Sequence, residues 1–226
     1  MSDEWVEDDE SLRRRLLEQI ITETRKTAAL TGCSALSERV QHVLAMVPRH
    51  RFVPSAWRER AYVDAPLPIG YGQTISQPFI VALMTELLAL DSESVVLEVG
   101  TGSGYQTAVL AHLARQVYSV ERIPLLAEAA ERRLRMLEIS NADIRTADGS
   151  RGWEEKAPFD GIMVTAAADK IPSALVRQLK PGGRLIIPVG PPYYSQELRV
   201  VCKDSSGMLH SRGVLSVVFV PLIPGR

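Results

Sequence analysis

The chain has 226 residues, with 26 Lys and Arg against 27 Asp and Glu, and its formal net charge is −1 at pH 7. This length suits a single α/β domain, and the balanced charge provides no global field that would attract nucleic acid or anionic lipid. Cys33, Cys202 and the four histidines show no metal-ligand spacing, and no stretch is typical of a signal peptide or a membrane span. We therefore expect a cytoplasmic protein with free thiols, no metal, and neither nucleic acid nor membrane as a partner.

The N-terminal region combines an acidic stretch with two predicted helices. Residues 1–10 are rich in acids and predict a flexible, solvated tail. From Ser11 onward apolar residues recur at helical spacing, and a second amphipathic helix ends at Pro48. Because both helices precede any predicted strand, we expect them to flank or cap a sheet.

Residues 61–78 form a proline- and glycine-rich segment with little periodicity, although its apolar residues indicate order. The segment leads into a helix predicted over residues 78–90. Ser76 or Gln77 is in position to cap this helix at its N-terminus. Alternatively, the Ser76 hydroxyl lies beside a bound carboxylate, because a helix N-terminus favours negative charge. The two roles are compatible.

A short apolar strand predicted over residues 95–99 ends in glycines at three alternate positions, Gly100, Gly102 and Gly104. Such a loop lets backbone pass close to a ligand, and the helix predicted after it directs free N–H groups toward that ligand. The spacing completes neither the dinucleotide fingerprint nor a nucleoside triphosphate loop. Glu121 ends the next predicted strand, where a carboxylate accepts hydrogen bonds from ribose hydroxyls. The pattern favours an adenosine ligand without a pyrophosphate, and a tight turn without any ligand is the alternative.

Strands and helices then alternate as far as residue 189. Further strands are predicted over residues 142–147, 159–165 and 184–189, with helices over residues 124–137 and 172–179. Residues 197–203 and 213–220 predict an antiparallel closing pair. The fold class is therefore α/β, a doubly wound, mostly parallel sheet of about seven strands with N-terminal helices and an antiparallel C-terminal pair. Ligands of such sheets bind at the carboxyl ends of the strands, where Gly104, Glu121, Asp148 and Thr165 fall.

Several blocks together resemble the protein-L-isoaspartate O-methyltransferases. They are AYVDAPLPIGYGQTISQP at residues 61–78, VLEVGTGSGYQTA at 96–108, VER at 120–122, PFDGI at 158–162, QLKPGGR at 178–184 and FVPL at 219–222. The resemblance spans roughly residues 36–222, and its first block is far more diagnostic than the glycine loop. It implies that S-adenosyl-L-methionine is the cofactor. It also implies that L-isoaspartyl carboxylates of damaged proteins and peptides accept the methyl group, which initiates repair through a succinimide.

The resemblance also assigns roles to residues. It places Ser76 as the active-site hydroxyl. The predicted cofactor-binding residues are Thr74, Ile75, Gln77, Glu98, Gly100, Thr101, Gly102, Ser103, Gly104, Glu121, Asp148, Gly149 and Thr165. We accordingly predict one domain over residues 11–226, with a helical, substrate-side segment (11–90) and a cofactor-binding sheet (91–226).

Two features of the family bear on the C-terminal region. The family tends to exchange its last two strands relative to other methyltransferases, so the same order is expected here. It also commonly has Arg before the Phe-Val-Pro-Leu run, where this chain has Val218. A substrate contact from this position is therefore in doubt, although the chemistry is not.

The mechanism follows from charge. A carboxyl group with a reference pKa near 3.9 is ionised at neutral pH, so its methylation needs no strong base. Catalysis then depends on holding oxygen, methyl carbon and sulfur in line, which contributes several kcal/mol. Two alternatives stay open: a methyltransferase of the same fold that acts on a small molecule or RNA, and a non-catalytic domain that binds the cofactor or a partner protein.

Overall fold

A computed structural model of the chain describes residues 8–192, 194–223 and 225. Most of the predicted acidic tail, residues 1–7, lies outside the described residues. Among the helices that the model describes, none is long and apolar enough to cross a membrane.

The helices and strands alternate along the chain after an initial helical region. The α-helices are α1 (Asp9–Lys26), α2 (Ala28–Thr31), α3 (Glu38–Met46), α4 (Pro78–Leu88), α5 (Tyr105–Ala111), α6 (Pro124–Met136) and α7 (Ser173–Gln178). The strands are β1 (Leu67–Gly70), β2 (Gln73–Ile75), β3 (Val95–Val99), β4 (Gln116–Glu121), β5 (Ala142–Thr146), β6 (Phe159–Val164), β7 (Leu179–Val189), β8 (Gln196–Lys203) and β9 (Leu209–Val217). Short 3₁₀ turns lie at Arg49–Phe52, Ser55–Arg60, Gly149–Arg151 and Glu154–Lys156.

One seven-stranded sheet has the order β5-β4-β3-β6-β7-β8-β9. The pairs from β5 to β7 are parallel, and β8 pairs antiparallel with both β7 and β9. This confirms the predicted doubly wound, mostly parallel sheet with an antiparallel end. The strand that follows β7 lies next to it and the last strand lies at the edge, which is the exchanged order that the resemblance implied. A separate antiparallel hairpin, β1-β2, precedes α4.

The central strands supply the core from both of their faces. Val96, Met163 and Ile186 belong to an apolar cluster with α4 and α5, whereas Leu97, Ile162 and Leu185 belong to a second cluster with α7. Successive residues of a strand point to opposite faces, so a parallel strand covered on both faces is apolar throughout. The helices α1 and α3 pack on α4, as expected for elements that flank the sheet.

Several boundaries differ from the prediction. The helix α1 begins at Asp9 rather than Ser11, because Asp8 caps it by accepting a hydrogen bond from the Ser11 amide at 2.7 Å. Carboxylates in a first helical turn are stabilised by the helix dipole, so the acids at 8–10 start a helix and the predicted tail is wrong for them. The strand β9 covers Leu209–Val217 rather than residues 213–220, and β7 begins at Leu179 rather than residue 184.

The chain beyond β9 turns back over the parallel sheet. The Ala167 amide donates to the Val220 carbonyl at 2.8 Å, and the Leu222 amide donates to the Ala167 carbonyl at 2.7 Å. Residues 218–223 therefore leave the sheet edge and lie near the carboxyl end of β6.

Candidate functional site

A cavity of about 270 Å³ lies at the carboxyl ends of β3, β4 and β6. Its walls contain most of the predicted site residues. These are Thr74, Ile75, Ser76, Gly100, Thr101, Gly102, Ser103, Glu121, Gly149 and Thr165. Loops that follow neighbouring parallel strands meet at this edge of the sheet, which is why residues distant in sequence converge here. We call this space the first cavity.

The glycine loop gives the first cavity its floor. Gly100 has φ +100°, and a Cβ at this position would collide with Thr165 Oγ1. The Thr165 hydroxyl donates instead to the Gly100 carbonyl at 2.7 Å, so the loop after β3 and the end of β6 are joined. Ile69 of the hairpin reaches over Gly102, since a Cβ there would lie 3.4 Å from Ile69 Cδ1. The loop is thus closely packed, and its residues from Gly100 to Ser103 line the cavity.

Glu121 fixes the loops that follow β3 and β4. Its Oε2 accepts a hydrogen bond from the Gly102 amide at 2.8 Å, and its Oε1 accepts one from the Ile123 amide at 2.9 Å. The side chain is 6% exposed and lines the first cavity. Each carboxylate oxygen has a further lone pair, so Glu121 can still accept two hydroxyl hydrogens from a ligand.

Glu98 lies beneath the loop and does not line the cavity. Its Oε2 accepts hydrogen bonds from Thr107 Oγ1 at 2.5 Å and Ser119 Oγ at 2.6 Å. Burial raises the pKa of Glu98 to about 8, so the carboxyl is mostly neutral at pH 7. Because strand residues alternate in direction, Glu98 faces α5 whereas Leu97 and Val99 face α7. It supports the cavity only indirectly, through the Ser119 hydroxyl that lies 2.5 Å from Thr101 Oγ1.

Three further predicted residues lie outside the first cavity. Gly104 is behind the loop, where a Cβ would approach Ala130 Cβ of α6 to 3.1 Å, so it serves helix packing. Asp148 lies at the rim, with its Oδ1 bonded to the Ser150 amide at 2.9 Å and its Oδ2 to the Gly225 amide at 2.7 Å. Gln77 faces a second cavity instead.

The chain after β9 forms a wall that the site prediction missed. Val220, Pro221, Leu222 and Ile223 line the first cavity, together with Tyr71 at the hairpin tip and Arg122 after β4. Arg122 Nη1 donates to the Ile223 carbonyl at 2.6 Å, which fastens this wall to the β4 loop. The Phe-Val-Pro-Leu run was the available signal, because its last residues coincide with the wall.

A second cavity of about 490 Å³ adjoins the first. It lies between α1, the start of α4 and the chain from Leu215 to Val220. Thr74, Ser76, Thr165 and Val220 line both cavities. Ser76 therefore stands in the wall that the two cavities share, and Val218, which is 76% exposed, belongs to the second cavity alone.

The prediction that Ser76 or Gln77 caps α4 is confirmed for the N-cap position, but the capping hydrogen bond comes from another residue. Gln77 occupies the N-cap position, but its side chain makes no capping hydrogen bond. Asp64 caps the helix instead, with Oδ1 accepting from the Phe79 amide at 2.8 Å and Oδ2 accepting from Gln77 Nε2 at 2.9 Å. Within residues 8–192, 194–223 and 225, the Ser76 hydroxyl has no hydrogen-bond partner, so it is available to a ligand.

The site contains polar donors and acceptors. Across the described part of the chain, no group of His, Cys, Asp and Glu side chains is arranged to hold a metal ion. The arrangement can hold a hydroxylated ligand at Glu121 and a second ligand on the opposite side of Ser76. Two reactants would meet at the shared wall, where a group could pass between them.

Comparisons with known proteins agree on one family. The model of the protein-L-isoaspartate(D-aspartate) O-methyltransferase family matches residues 18–226. A protein-L-isoaspartate O-methyltransferase 2 from Syntrophobacter fumaroxidans is 56% identical, over 95% of this chain and 87% of that protein. One from a Polaromonas species is 54% identical, over 93% of this chain and 100% of that protein. A Plasmodium falciparum protein of this family, solved in complex with S-adenosyl-L-homocysteine, superposes with a TM-score of 0.77 at 26% identity, over 96% of this chain and 99% of that one.

Proposed function

The chain belongs to the protein-L-isoaspartate(D-aspartate) O-methyltransferase family, and we propose that its two cavities bring S-adenosyl-L-methionine and an isoaspartyl carboxylate together at Ser76. The reaction transfers the cofactor's methyl group to the free carboxylate of L-isoaspartyl residues in damaged proteins and peptides. The observation that carries the proposed geometry is the shared wall of Thr74, Ser76 and Thr165.

The first cavity fits the cofactor. Glu121 has lone pairs left for the ribose hydroxyls, and Gly100 and Gly102 line the cavity without side chains that would narrow it. Thr101, Gly102 and Ser103 complete the loop side, and Gly149 lies at the adenine end beside Asp148. When bound, the cofactor supplies an electrophilic methyl group on a sulfonium.

The second cavity holds the peptide acceptor in this proposal. The free Ser76 hydroxyl donates a hydrogen bond to one oxygen of the substrate carboxylate, which leaves the other oxygen directed toward the first cavity. No base is needed, because an isoaspartyl carboxyl is already ionised at neutral pH. The contribution of Ser76 is therefore orientation, holding the attacking oxygen in line with the group that it receives. The amide nitrogen of the following residue then attacks the ester carbonyl and expels methanol, which gives a succinimide whose hydrolysis restores some normal aspartyl linkages.

Several broader features belong to the same proposal. We place the protein in the cytoplasm, because Cys33 and Cys202 are both free cysteines. Nucleic acid and membrane are not among the proposed partners, since 26 Lys and Arg balance 27 Asp and Glu. Residues 11–226 act as one domain, in which the segment 11–90 contributes the peptide side and residues 91–226 the cofactor side.

The direct test uses radiolabelled S-adenosyl-L-methionine with an isoaspartyl peptide and its normal aspartyl twin. We expect base-labile label in the isoaspartyl peptide only. An isoaspartyl residue has its free carboxylate on the α-carbon, whereas a normal aspartyl residue has its carboxylate on the β-carbon, so the two carboxylates differ in position relative to the backbone. Equal labelling of the twins would overturn the proposed acceptor. Labelling of RNA or a small molecule instead would favour the first alternative function. Cofactor binding without any transfer would favour the non-catalytic one.

A further inference from the structure

Arg49 is a buried arginine that the reaction scheme above does not use. It lies in the 3₁₀ turn after α3 and is 1% exposed. No acidic side chain forms an ion pair with it within the described residues, and burial lowers the pKa of its guanidinium to about 10. Asp64 offsets part of the cost of this buried charge electrostatically, but without an ion pair its retention still requires a strong set of local contacts.

Those contacts converge on the Ser76 turn. Arg49 Nη2 donates to the Ser76 carbonyl at 2.8 Å, and Nε donates to the Ala61 carbonyl at 2.9 Å. A longer bond from Nη2 reaches the Ala65 carbonyl at 3.4 Å. The guanidinium carbon also lies 5.1 Å from the ring centre of Tyr105, the first residue of the helix after the glycine loop. Arg49 thus connects the backbone of the peptide-side turn with the cofactor loop.

Asp64 holds the same turn from the following residues. It accepts hydrogen bonds from Gln77 Nε2 at 2.9 Å and from the Phe79 amide at 2.8 Å. Arg49 therefore fixes the carbonyl of Ser76, and Asp64 fixes Gln77 and Phe79. These contacts leave the Ser76 hydroxyl free.

We propose that Arg49 is a positioning residue for methyl transfer. It fixes the Ser76 peptide group through the Ser76 carbonyl, while Asp64 fixes Gln77 and Phe79. This inference rests on the proposed function, because it concerns how Ser76 meets the acceptor carboxylate. Arg49 touches neither reactant. Its effect is exerted through the Ser76 backbone, and displacement of a reacting group by about 1 Å costs about 100-fold in rate.

The test compares Arg49→Met with Arg49→Lys. Met fills much of the volume but donates no hydrogen bond, whereas Lys keeps a charge and a donor without the planar fork. We expect kcat for the isoaspartyl peptide to fall about 100-fold in Arg49→Met, with partial recovery in Arg49→Lys. The dissociation constant of S-adenosyl-L-homocysteine should rise by a much smaller factor than kcat falls, because Thr74, Ile75 and Ser76 line the first cavity but Arg49 itself does not. Asp64→Asn, which loses the acceptor for Gln77, should lower kcat by a smaller factor.

A matched control separates positioning from general stability. Leu16→Ala removes a side chain that is 6% exposed in α1 and lines neither reactant cavity. Hydrogen exchange gives a readout that needs no turnover: Arg49→Met should speed exchange of the amides at residues 74–77 more than Leu16→Ala does. Exchange is compared at temperatures equally far below each variant's Tm.

The outcomes distinguish this inference from the proposed function. If Arg49→Met keeps the wild-type kcat, or if Leu16→Ala lowers kcat as much at equal loss of Tm, the positioning role is overturned. If both substitutions speed exchange at residues 74–77 equally, it is overturned as well. If the wild-type protein labels no isoaspartyl peptide, the proposed function fails, whereas local exchange in Arg49→Met still decides whether Arg49 holds the turn.

Discussion

The two sides of the site are built by different means. On the cofactor side, the floor is a strand-to-helix loop whose shape follows from glycine conformations and from Glu121, which bonds the amides of its own and the neighbouring loop. On the peptide side, the Ser76 turn lies in an irregular segment and is held by Arg49 and Asp64, 27 residues before Ser76 and 15 before Phe79. The comparison teaches that both sides depend on side-chain contacts between distant residues, but only the cofactor side is built on a loop whose conformation its glycine pattern predicts, whereas the peptide side lies in a segment without such a pattern.

Glu121→Ala should give the largest effect and should act on the cofactor side alone. The change removes the proposed acceptor for the ribose and leaves the partly buried amides of Gly102 and Ile123 without their partner. A hydrogen bond to a charged group contributes about 1.5–3 kcal/mol, so the loss of two raises the Kd of S-adenosyl-L-homocysteine by about 100-fold or more. Titration calorimetry measures this directly.

The control for this change is Glu128→Gln, which alters an exposed acid on α6. We expect its Kd to equal that of the wild-type protein. If Glu121→Ala also retained the wild-type Kd, the assignment of the first cavity to the cofactor would be untenable.

Ser76→Ala should produce the converse pattern, in which the rate of methyl transfer decreases and the Kd of S-adenosyl-L-homocysteine stays that of the wild-type protein. The hydroxyl forms no hydrogen bond with the described part of the chain, so its removal disturbs little of the fold. It would lose one hydrogen bond to a carboxylate, worth about 1.5–3 kcal/mol, and kcat/KM for the isoaspartyl peptide would fall about 10- to 100-fold. Steady-state kinetics with an exposed-serine control, Ser92→Ala, check this expectation. Unchanged kinetics in Ser76→Ala would remove Ser76 from the mechanism.

The contrast between the two sides also explains what sequence could predict. The sheet, its helices and the cofactor loop follow from periodicity and glycine spacing, which are local signals, and these predictions hold in the fold. The capping of α4 by Asp64 could not be anticipated from spacing, because the irregular segment between Asp64 and Phe79 gives no indication that the two residues meet. The role of Arg49 is hidden for the same reason.

Two misplaced residues had signals that the sequence did contain. Glu98 follows Leu97 in a strand, and alternation alone turns its side chain to the opposite face from Leu97 and Val99. Asp8 precedes a helical pattern and is a favoured capping residue, so the acidic composition of residues 1–10 concealed a helix start. The assignment of Glu98 followed the family resemblance rather than strand alternation, and that of Asp8 followed acidic composition rather than the capping preference of aspartate.

Glu98 gives a third prediction, which concerns stability on the cofactor side. Burial raises the pKa of Glu98 to about 8, above its ordinary value of 4.5. Between these values the folded chain retains a proton that the unfolded chain releases, so the free energy of unfolding falls as pH rises through this window. In Glu98→Gln, we expect the free energy of unfolding to decrease less between pH 5 and pH 9 than in the wild-type protein. The difference should be at least about 1.4 kcal/mol, which corresponds to about one pKa unit. Denaturant unfolding at pH 5 and pH 9 measures the difference, and parallel profiles for the two proteins would contradict it.

Val218→Arg tests the peptide side with the smallest expected effect. Val218 is 76% exposed and lines only the second cavity, where Glu23 and Asp64 are charged lining residues and no Lys or Arg occurs among the described lining. An arginine here would attract an acidic residue next to the isoaspartyl group with the modest energy of an exposed ion pair, about 0.2–1 kcal/mol. The KM of a glutamate-flanked peptide should therefore fall by up to about fivefold at low salt, and the gain should shrink at 0.5 M salt as screening increases. The kcat and the KM of a neutral peptide should remain those of the wild-type protein.

An equal change for neutral and acidic peptides would mean that position 218 acts on the shape of the cavity rather than on its charge. A change in cofactor affinity would mean instead that the two sides of the site are less separate than their construction indicates.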